Sequence, residues 1–139
     1  ARAGRPRAML WLFAATISST LVNPLLKLAF AVSRPEVIDR LVEAGGHSFP
    51  SGHSVGAMTL GGAIALLFPS RPVIILCLTM ILATGLSRVW LGVHWPSDVA
   101  GGWIEGVALL LLLGRFFPTG EAASQHQRYP SKKRDSALP

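Results

Sequence analysis

The sequence predicts an all-α fold, a multi-pass transmembrane helical bundle with four membrane helices. Half of the 139 residues are hydrophobic and only 14% are charged, whereas a soluble domain usually carries about a quarter charged residues. The apolar residues are collected in four segments, and a bilayer core of about 30 Å needs roughly 17–25 helical residues. Proline near the start of three of these segments favours helices over strands.

The four segments are joined by connections of different length. The first contains Asn23-Pro24, which predicts a kink. A polar loop, 33–49, separates the first segment from the second, and a tight turn, 69–72, joins the second to the third. Two of the four reach the length of a bilayer crossing only marginally. The segments run from Ala8 to about Val32, from Ser51 to Phe68, from Pro72 to about Trp90, and from Pro96 to Phe117.

The basic residues predict the orientation of the bundle. The formal net charge is +6, and a basic chain can bind nucleic acid or an anionic membrane surface. The apolar segments favour the bilayer as partner and exclude nucleic acid. Alternating helices put the basic residues of the N-terminus, the 69–72 turn and the tail on one side, which the positive-inside rule makes cytoplasmic. We expect a membrane domain over 1–118, a disordered cytoplasmic tail over 119–139, and location in a bacterial inner membrane.

Five residues at the opposite side of the bundle are suited to bind phosphate. Lys27 and Arg34 are seven residues apart, a spacing that predicts one shared helical face, and Arg88 closes the third segment. Phosphate oxygens are bound well by the point charge of lysine and the planar fork of arginine. Ser51 is expected to cap the second helix, and Gly52 to let the backbone of that helix N-terminus approach the anion.

Two histidines and one carboxylate lie at the same edge. His94 and Asp98 stand at i and i+4, so Asp98 can accept a hydrogen bond from one ring nitrogen and leave the other free to attack. His53 can protonate a leaving alkoxide, because histidine titrates near neutral pH. This combination indicates an enzyme that uses a histidine nucleophile on a phosphate.

The order and spacing of these residues resemble a known family signature. The chain is similar to the type 2 phosphatidic acid phosphatases, whose family also includes the vanadium haloperoxidases, and it matches every signature position over residues 27–98. The three matching parts are Lys27-x6-Arg34-Pro35, Pro50-Ser51-Gly52-His53, and Ser87-Arg88-x5-His94-x3-Asp98. Members of the membrane branch commonly have six helices, so the two that are absent here would precede residue 1.

The resemblance implies a role for each signature residue. His94 would be the nucleophile and form a phosphohistidine, Asp98 would orient it, and His53 would be the general acid that later activates water. The phosphate would be held by Lys27, Arg34 and Arg88 together with the backbone of Ser51 and Gly52. The family needs neither a metal nor a cofactor for phosphatase activity.

Three functions compete at this point. The first is an integral-membrane lipid phosphatase that hydrolyses a phosphate monoester or diphosphate at the extracytoplasmic face. The second is a vanadate-dependent haloperoxidase, but those enzymes are generally soluble. The third is a non-catalytic membrane protein with a relic site, which would be expected to lose some charged residues that are costly at membrane depth. The identity of the lipid substrate and the oligomeric state stay open.

Glu105 carries a separate prediction. It follows Asp98 by seven residues and therefore projects from the same helical face. We expect its carboxyl group to face the bundle interior in a packing role, protonated or hydrogen-bonded to a hydroxyl such as that of Thr59, Thr79 or Thr84.

Overall fold

The computed structural model describes residues 4–36, 42 and 44–116. This part of the chain forms four α-helices and contains no strand, which confirms the predicted all-α class. The expected tail, 119–139, lies outside the described residues, as do the first three residues of the chain. The helices are α1 (Gly4–Phe30), α2 (Gly52–Leu67), α3 (Arg71–Trp90) and α4 (Pro96–Phe116).

Three of the helices, α1, α3 and α4, are long and apolar enough to cross a membrane. In contrast, α2 has only 16 residues, and at 1.5 Å per residue it extends about 24 Å, less than the hydrocarbon core. Three of the four segments that were predicted to cross the bilayer therefore form helices of sufficient length, whereas α2 is too short. The reason is local, because Ser51 is extended (φ −71°, ψ 112°) and stays outside the helix, and Phe68 ends it.

The end of α1 differs from the prediction. The helix continues through Pro24 but stops at Phe30, and Ala31 then adopts a left-handed conformation with φ 48°. Arg34 is therefore outside the helix, and the predicted shared helical face with Lys27 is wrong. Pro35 gives a physical reason, because a residue that precedes proline is disfavoured in the α region.

Close helix packing surrounds α2, which contacts all three other helices. The tightest approach is to α4, where a Cβ atom on Gly102 would lie 2.6 Å from the Ser51 carbonyl oxygen, and one on Gly106 would lie 2.7 Å from Met58. Small residues that allow such approaches are typical of helix interfaces in membranes. Large apolar side chains such as Leu25 and Leu111 are instead exposed on the outside of the bundle, as a surface that faces lipid would require.

The up-and-down order of the helices brings four helix ends together. The C-terminal ends of α1 and α3 and the N-terminal ends of α2 and α4 lie at one end of the bundle. All of the predicted site residues come from these ends or from the connections beside them.

Candidate active site

A cavity of about 440 Å³ opens at this end of the bundle. Both predicted histidines, all three predicted cations and Gly52 line it, whereas Ser51 and Asp98 are fully buried behind it. The complete lining is Lys27, Arg34, Val42, Ala44, Gly52, His53, Arg88, Val93 and His94. The structure thus brings three cationic side chains and two imidazoles together around one space that is large enough for a phosphate group.

His94 and Asp98 form the expected pair. The Nδ1 atom of His94 lies 3.3 Å from Oδ2 of Asp98, and both side chains are buried. The helix begins at Pro96, so His94 precedes it. Asp98 reaches back over the first turn, where its Oδ2 also accepts the Trp95 backbone N–H at 2.8 Å. The carboxylate therefore fixes both the imidazole and the start of α4.

The second ring nitrogen of His94 lies beside Arg34 at the cavity. Nη1 of Arg34 lies 3.4 Å from Nε2 of His94, and a guanidinium can only donate. The tautomer that fits both contacts has its proton on Nδ1, directed to Asp98, and its Nε2 lone pair beside Arg34. Burial is the main cause that lowers the pKa of His94, and the charges of Arg34 and Lys27 lower it further, against the opposing effect of Asp98. A lowered pKa favours the neutral form of the imidazole.

Arg34 and Lys27 bind the loop as well as facing the cavity. Arg34 donates from Nη1 to the Val93 carbonyl oxygen at 2.8 Å and from Nη2 to that of Gly45 at 3.0 Å. Nζ of Lys27 donates to the carbonyl oxygens of His47 at 2.9 Å and Ser48 at 3.1 Å. An ammonium group has three donors, so Lys27 can hold the loop and still offer one to a ligand.

The start of α2 departs from the prediction at Ser51. Ser51 is the N-cap residue of α2, as predicted, but its side chain makes no capping hydrogen bond. Its backbone N–H donates to the Asp98 carbonyl oxygen at 2.9 Å, and this bond joins α2 to α4. The same N–H was expected to bind phosphate and is already occupied by this bond. Gly52 remains at the cavity, and a Cβ atom there would lie 3.1 Å from Oδ1 of Asn23. His53, the next residue, is exposed on the cavity side.

Sequence reasoning missed Ser48. This fully buried serine donates a hydrogen bond from Oγ to Oδ2 of Asp98, the same oxygen that His94 contacts. The only available signal was its position two residues before Pro50, next to the signature. Arg88, which was predicted, lines the cavity from the last turn of α3 and donates from Nε to the Ser87 hydroxyl at 3.2 Å.

Glu105 faces the bundle interior, as predicted, and is buried. Its hydrogen-bond partner was not foreseen, because Nδ2 of Asn23 donates to Oε2 of Glu105 at 2.9 Å and to the Pro50 carbonyl oxygen at 3.3 Å. Two of the proposed hydroxyl partners are occupied within their own helices, where Thr59 donates to the Val55 carbonyl and Thr79 to that of Ile75. Hydroxyls in helices commonly form such bonds to the preceding turn.

The fold and the cavity define a class of protein, a membrane helix bundle with a cation-lined histidine site at one end. Comparison with known families agrees with this class. The model of the PAP2 superfamily matches residues 8–121, and the chain therefore belongs to the PAP2 superfamily. The resemblance drawn from the signature is confirmed. Together with its apolar helices, this membership makes the chain an integral membrane protein.

Three curated relatives illustrate the range of the family. The undecaprenyl-diphosphatase BcrC of Bacillus subtilis (strain 168) is 35% identical over 72% of this chain and 53% of its own length. A lipid A 1-phosphatase of Rhizobium etli is 31% identical over 92% of this chain and 62% of its own. The phosphatidylglycerophosphatase B of Bacillus subtilis is 37% identical over 69% of this chain and 51% of its own. The chain thus spans roughly half to three-fifths of their lengths.

A solved structure shares the fold. The crystal structure of a transmembrane PAP2-type phosphatidylglycerolphosphate phosphatase from Bacillus subtilis aligns with a TM-score of 0.68 at 29% identity. The alignment covers 87% of this chain and 61% of that protein. The helical arrangement described above is therefore shared with that transmembrane PAP2-type phosphatase over the aligned part.

Proposed function

We propose that this chain carries the catalytic centre of a lipid phosphatase, which hydrolyses a phosphate monoester or diphosphate of a lipid through a phosphohistidine at His94. The observation that carries the proposal is the state of that imidazole. Its Nδ1 lies 3.3 Å from Oδ2 of Asp98, its Nε2 lies 3.4 Å from Nη1 of Arg34, and the residue lines a cavity that three cations share. A nucleophile with an orienting carboxylate and a binding site for the anion it attacks supports phosphoryl transfer.

The proposed reaction has two steps. In the first, Nε2 of His94 bonds to phosphorus as the bond from phosphorus to the leaving oxygen breaks. That oxygen belongs to the lipid alkoxide of a monoester or to the lipid phosphate of a diphosphate, and protonated His53 gives its proton to it. In the second, neutral His53 takes a proton from water, whose oxygen attacks phosphorus as the N–P bond breaks and inorganic phosphate leaves. Asp98 stabilises the imidazole while it carries the phosphoryl group. The negative charge that develops on the phosphoryl oxygens is matched by Lys27, Arg34 and Arg88.

A lipid substrate is supported by where the cavity lies. It opens at the end of a bundle whose outer surface is apolar, so a phosphorylated head group can enter while the hydrocarbon chain stays among lipids. The printed names of the relatives include an undecaprenyl-diphosphatase, a lipid A 1-phosphatase and a phosphatidylglycerophosphatase. These three substrate classes form the panel in which the substrate of this protein is to be sought.

The proposed face of action is outside the cytoplasm. Arg71 and Arg115 lie at the end of the bundle opposite the cavity, the same end at which the sequence predicts the basic residues of the N-terminus and the tail. The positive-inside rule then places the cavity on the extracytoplasmic side.

The test is phosphate release by the full-length protein in detergent micelles over this lipid panel. His94→Ala should abolish turnover, whereas His126→Ala, a histidine outside the family match, should leave it unchanged. His53→Ala should lose roughly two to four orders of magnitude and recover part of this loss with a better leaving group. Activity should persist in EDTA and be inhibited by vanadate, which mimics pentacoordinate phosphorus. Wild-type turnover by the His94 variant would refute the proposal, and so would loss on chelation that magnesium restores.

A further inference from the structure

We infer that Ser48 is a positioning residue, which sets the orientation and the basicity of His94 by donating a hydrogen bond to the carboxylate that holds it. The inference rests on the proposed function, in which His94 is the nucleophile. Ser48 would not touch the substrate and would act only through Asp98. It lies outside the signature positions that identified the site.

The geometry around Asp98 carries the inference. A single carboxylate oxygen, Oδ2, accepts from the Ser48 hydroxyl, from the Trp95 backbone N–H at 2.8 Å and from Nδ1 of His94 at 3.3 Å. The other oxygen, Oδ1, is buried and has no hydrogen-bond partner among the described residues. The three donors therefore compete for one oxygen, and the share that His94 receives depends on the Ser48 hydroxyl.

The backbone of Ser48 is held at both of its polar groups. Its N–H donates to the Val32 carbonyl oxygen at 2.8 Å, and its own carbonyl oxygen accepts from Nζ of Lys27 at 3.1 Å. The residue is fully buried, so its side chain cannot turn to solvent for another partner. Ser48 is therefore bonded to Lys27 through its carbonyl oxygen and to Asp98 through its hydroxyl. It thereby connects a proposed phosphate-binding cation with the carboxylate that holds His94.

The direction of the effect follows from electrostatics. A hydrogen bond from Ser48 disperses the negative charge of Asp98 and weakens its attraction for a protonated His94. Without that hydroxyl, the carboxylate is a stronger partner, and the pKa of His94 should rise. The other ionisable groups around the imidazole stay in place in such a variant. They are Lys27 from α1, Arg34 from the connection after it, His53 from α2 and Arg88 from α3.

The experiment compares Ser48→Ala with Ser54→Ala in the full-length protein. Ser54 is the matched control, since it is equally buried but its hydroxyl has no hydrogen-bond partner among the described residues. The pH dependence of kcat/KM reports the essential groups of the free enzyme. For Ser48→Ala we expect the acidic limb to move up by roughly 0.5–1 pH unit, a loss of about 3- to 10-fold below that limb, and a basic limb that does not move. Ionisation of the substrate is common to all variants and cancels in the comparison.

Ser48→Cys guards against a folding defect. A thiol is a weak donor, so this variant should show a smaller shift in the same direction, and it decides the question if Ser48→Ala fails to give a monodisperse protein. A profile that is only scaled down, with both limbs unmoved, would overturn the inference. His94→Ala separates the two proposals, since retained turnover there refutes the proposed function. Loss of turnover there, with an unshifted Ser48 profile, refutes the role of Ser48 alone.

Discussion

Gly102 offers the sharpest test of how helix packing supports the site. A Cβ atom at this position of α4 would lie 2.6 Å from the Ser51 carbonyl oxygen, 2.8 Å from Cβ of Ser54 and 3.2 Å from the backbone nitrogen of Val55. Two of these three neighbours are backbone atoms of the first turn of α2, which cannot move away independently. Gly102→Ala should therefore separate α4 from α2 at the point where the cavity is built.

The size of the effect can be worked from these distances. Ordinary contact begins at 3.4 Å against the 2.6 Å found here, so the helices must part by about 0.8 Å. The same displacement would stretch the bond from the Ser51 N–H to the Asp98 carbonyl oxygen from 2.9 Å to about 3.7 Å, beyond hydrogen-bonding distance. Overpacking of this kind costs about 1–3 kcal/mol, and a misplacement near 1 Å can lower kcat/KM by about 100-fold.

The assay is thermal unfolding in detergent micelles together with phosphate release. Gly56→Ala is the matched control, because Gly56 is also helical and a Cβ atom there meets nothing within 4 Å. That variant should be as stable as the wild type, or slightly more stable, owing to the better helix propensity of alanine. If Gly102→Ala matched Gly56→Ala in both stability and turnover, the tight approach of α2 to α4 would not support the site, and the reasoning would be refuted.

Three other outcomes are expected. Glu105→Gln should retain stability and turnover, since an amide oxygen still accepts from Asn23, whereas Glu105→Leu should lower micellar stability by about 1 kcal/mol; a folded but inactive Gln variant would assign the carboxylate a chemical role. Burial lowers the pKa of His94, so kcat/KM should begin to fall on the acidic side only below about pH 6.5. The free energy of unfolding, measured as a function of pH, should also decrease below that value, because the unfolded chain binds the proton more readily. An acidic decline of kcat/KM that already begins above pH 7 would contradict this expectation. A reporter fused after Pro139 should read cytoplasmic and a tag in the 36–46 loop external, and the reverse would overturn the orientation.

The chemistry of the site could be predicted because each signature residue supplies a functional group that few other residues can supply. Lys27, Arg34 and Arg88 offer fixed positive charge, and His53 and His94 offer proton transfer near neutral pH. The structure places all five around one cavity. Their spacing along the chain also placed them at helix ends that an alternating bundle must bring together.

Two local expectations failed for reasons that spacing does not contain. The seven-residue interval between Lys27 and Arg34 indicated a shared helical face, but α1 ends at Phe30 and the two side chains meet by way of the loop that both of them bind. Ser51 has the residue type of a helix cap, yet its N–H is bonded to the Asp98 carbonyl oxygen and its side chain is buried without a capping bond. In both cases a contact between distant parts of the chain overrode a local preference.

The sequence by itself determined the fold class, the apolar segments and the residues that can do the chemistry, because hydropathy and functional groups are local properties. Only the tertiary structure decided which atoms hold those groups in place. Ser48 lies 50 residues from the Asp98 it contacts and Asn23 lies 82 residues from Glu105, and no periodicity along the chain links either pair. Such partners are chosen by the close approach of packed helices, which depends on where small residues such as Gly102 let two backbones meet.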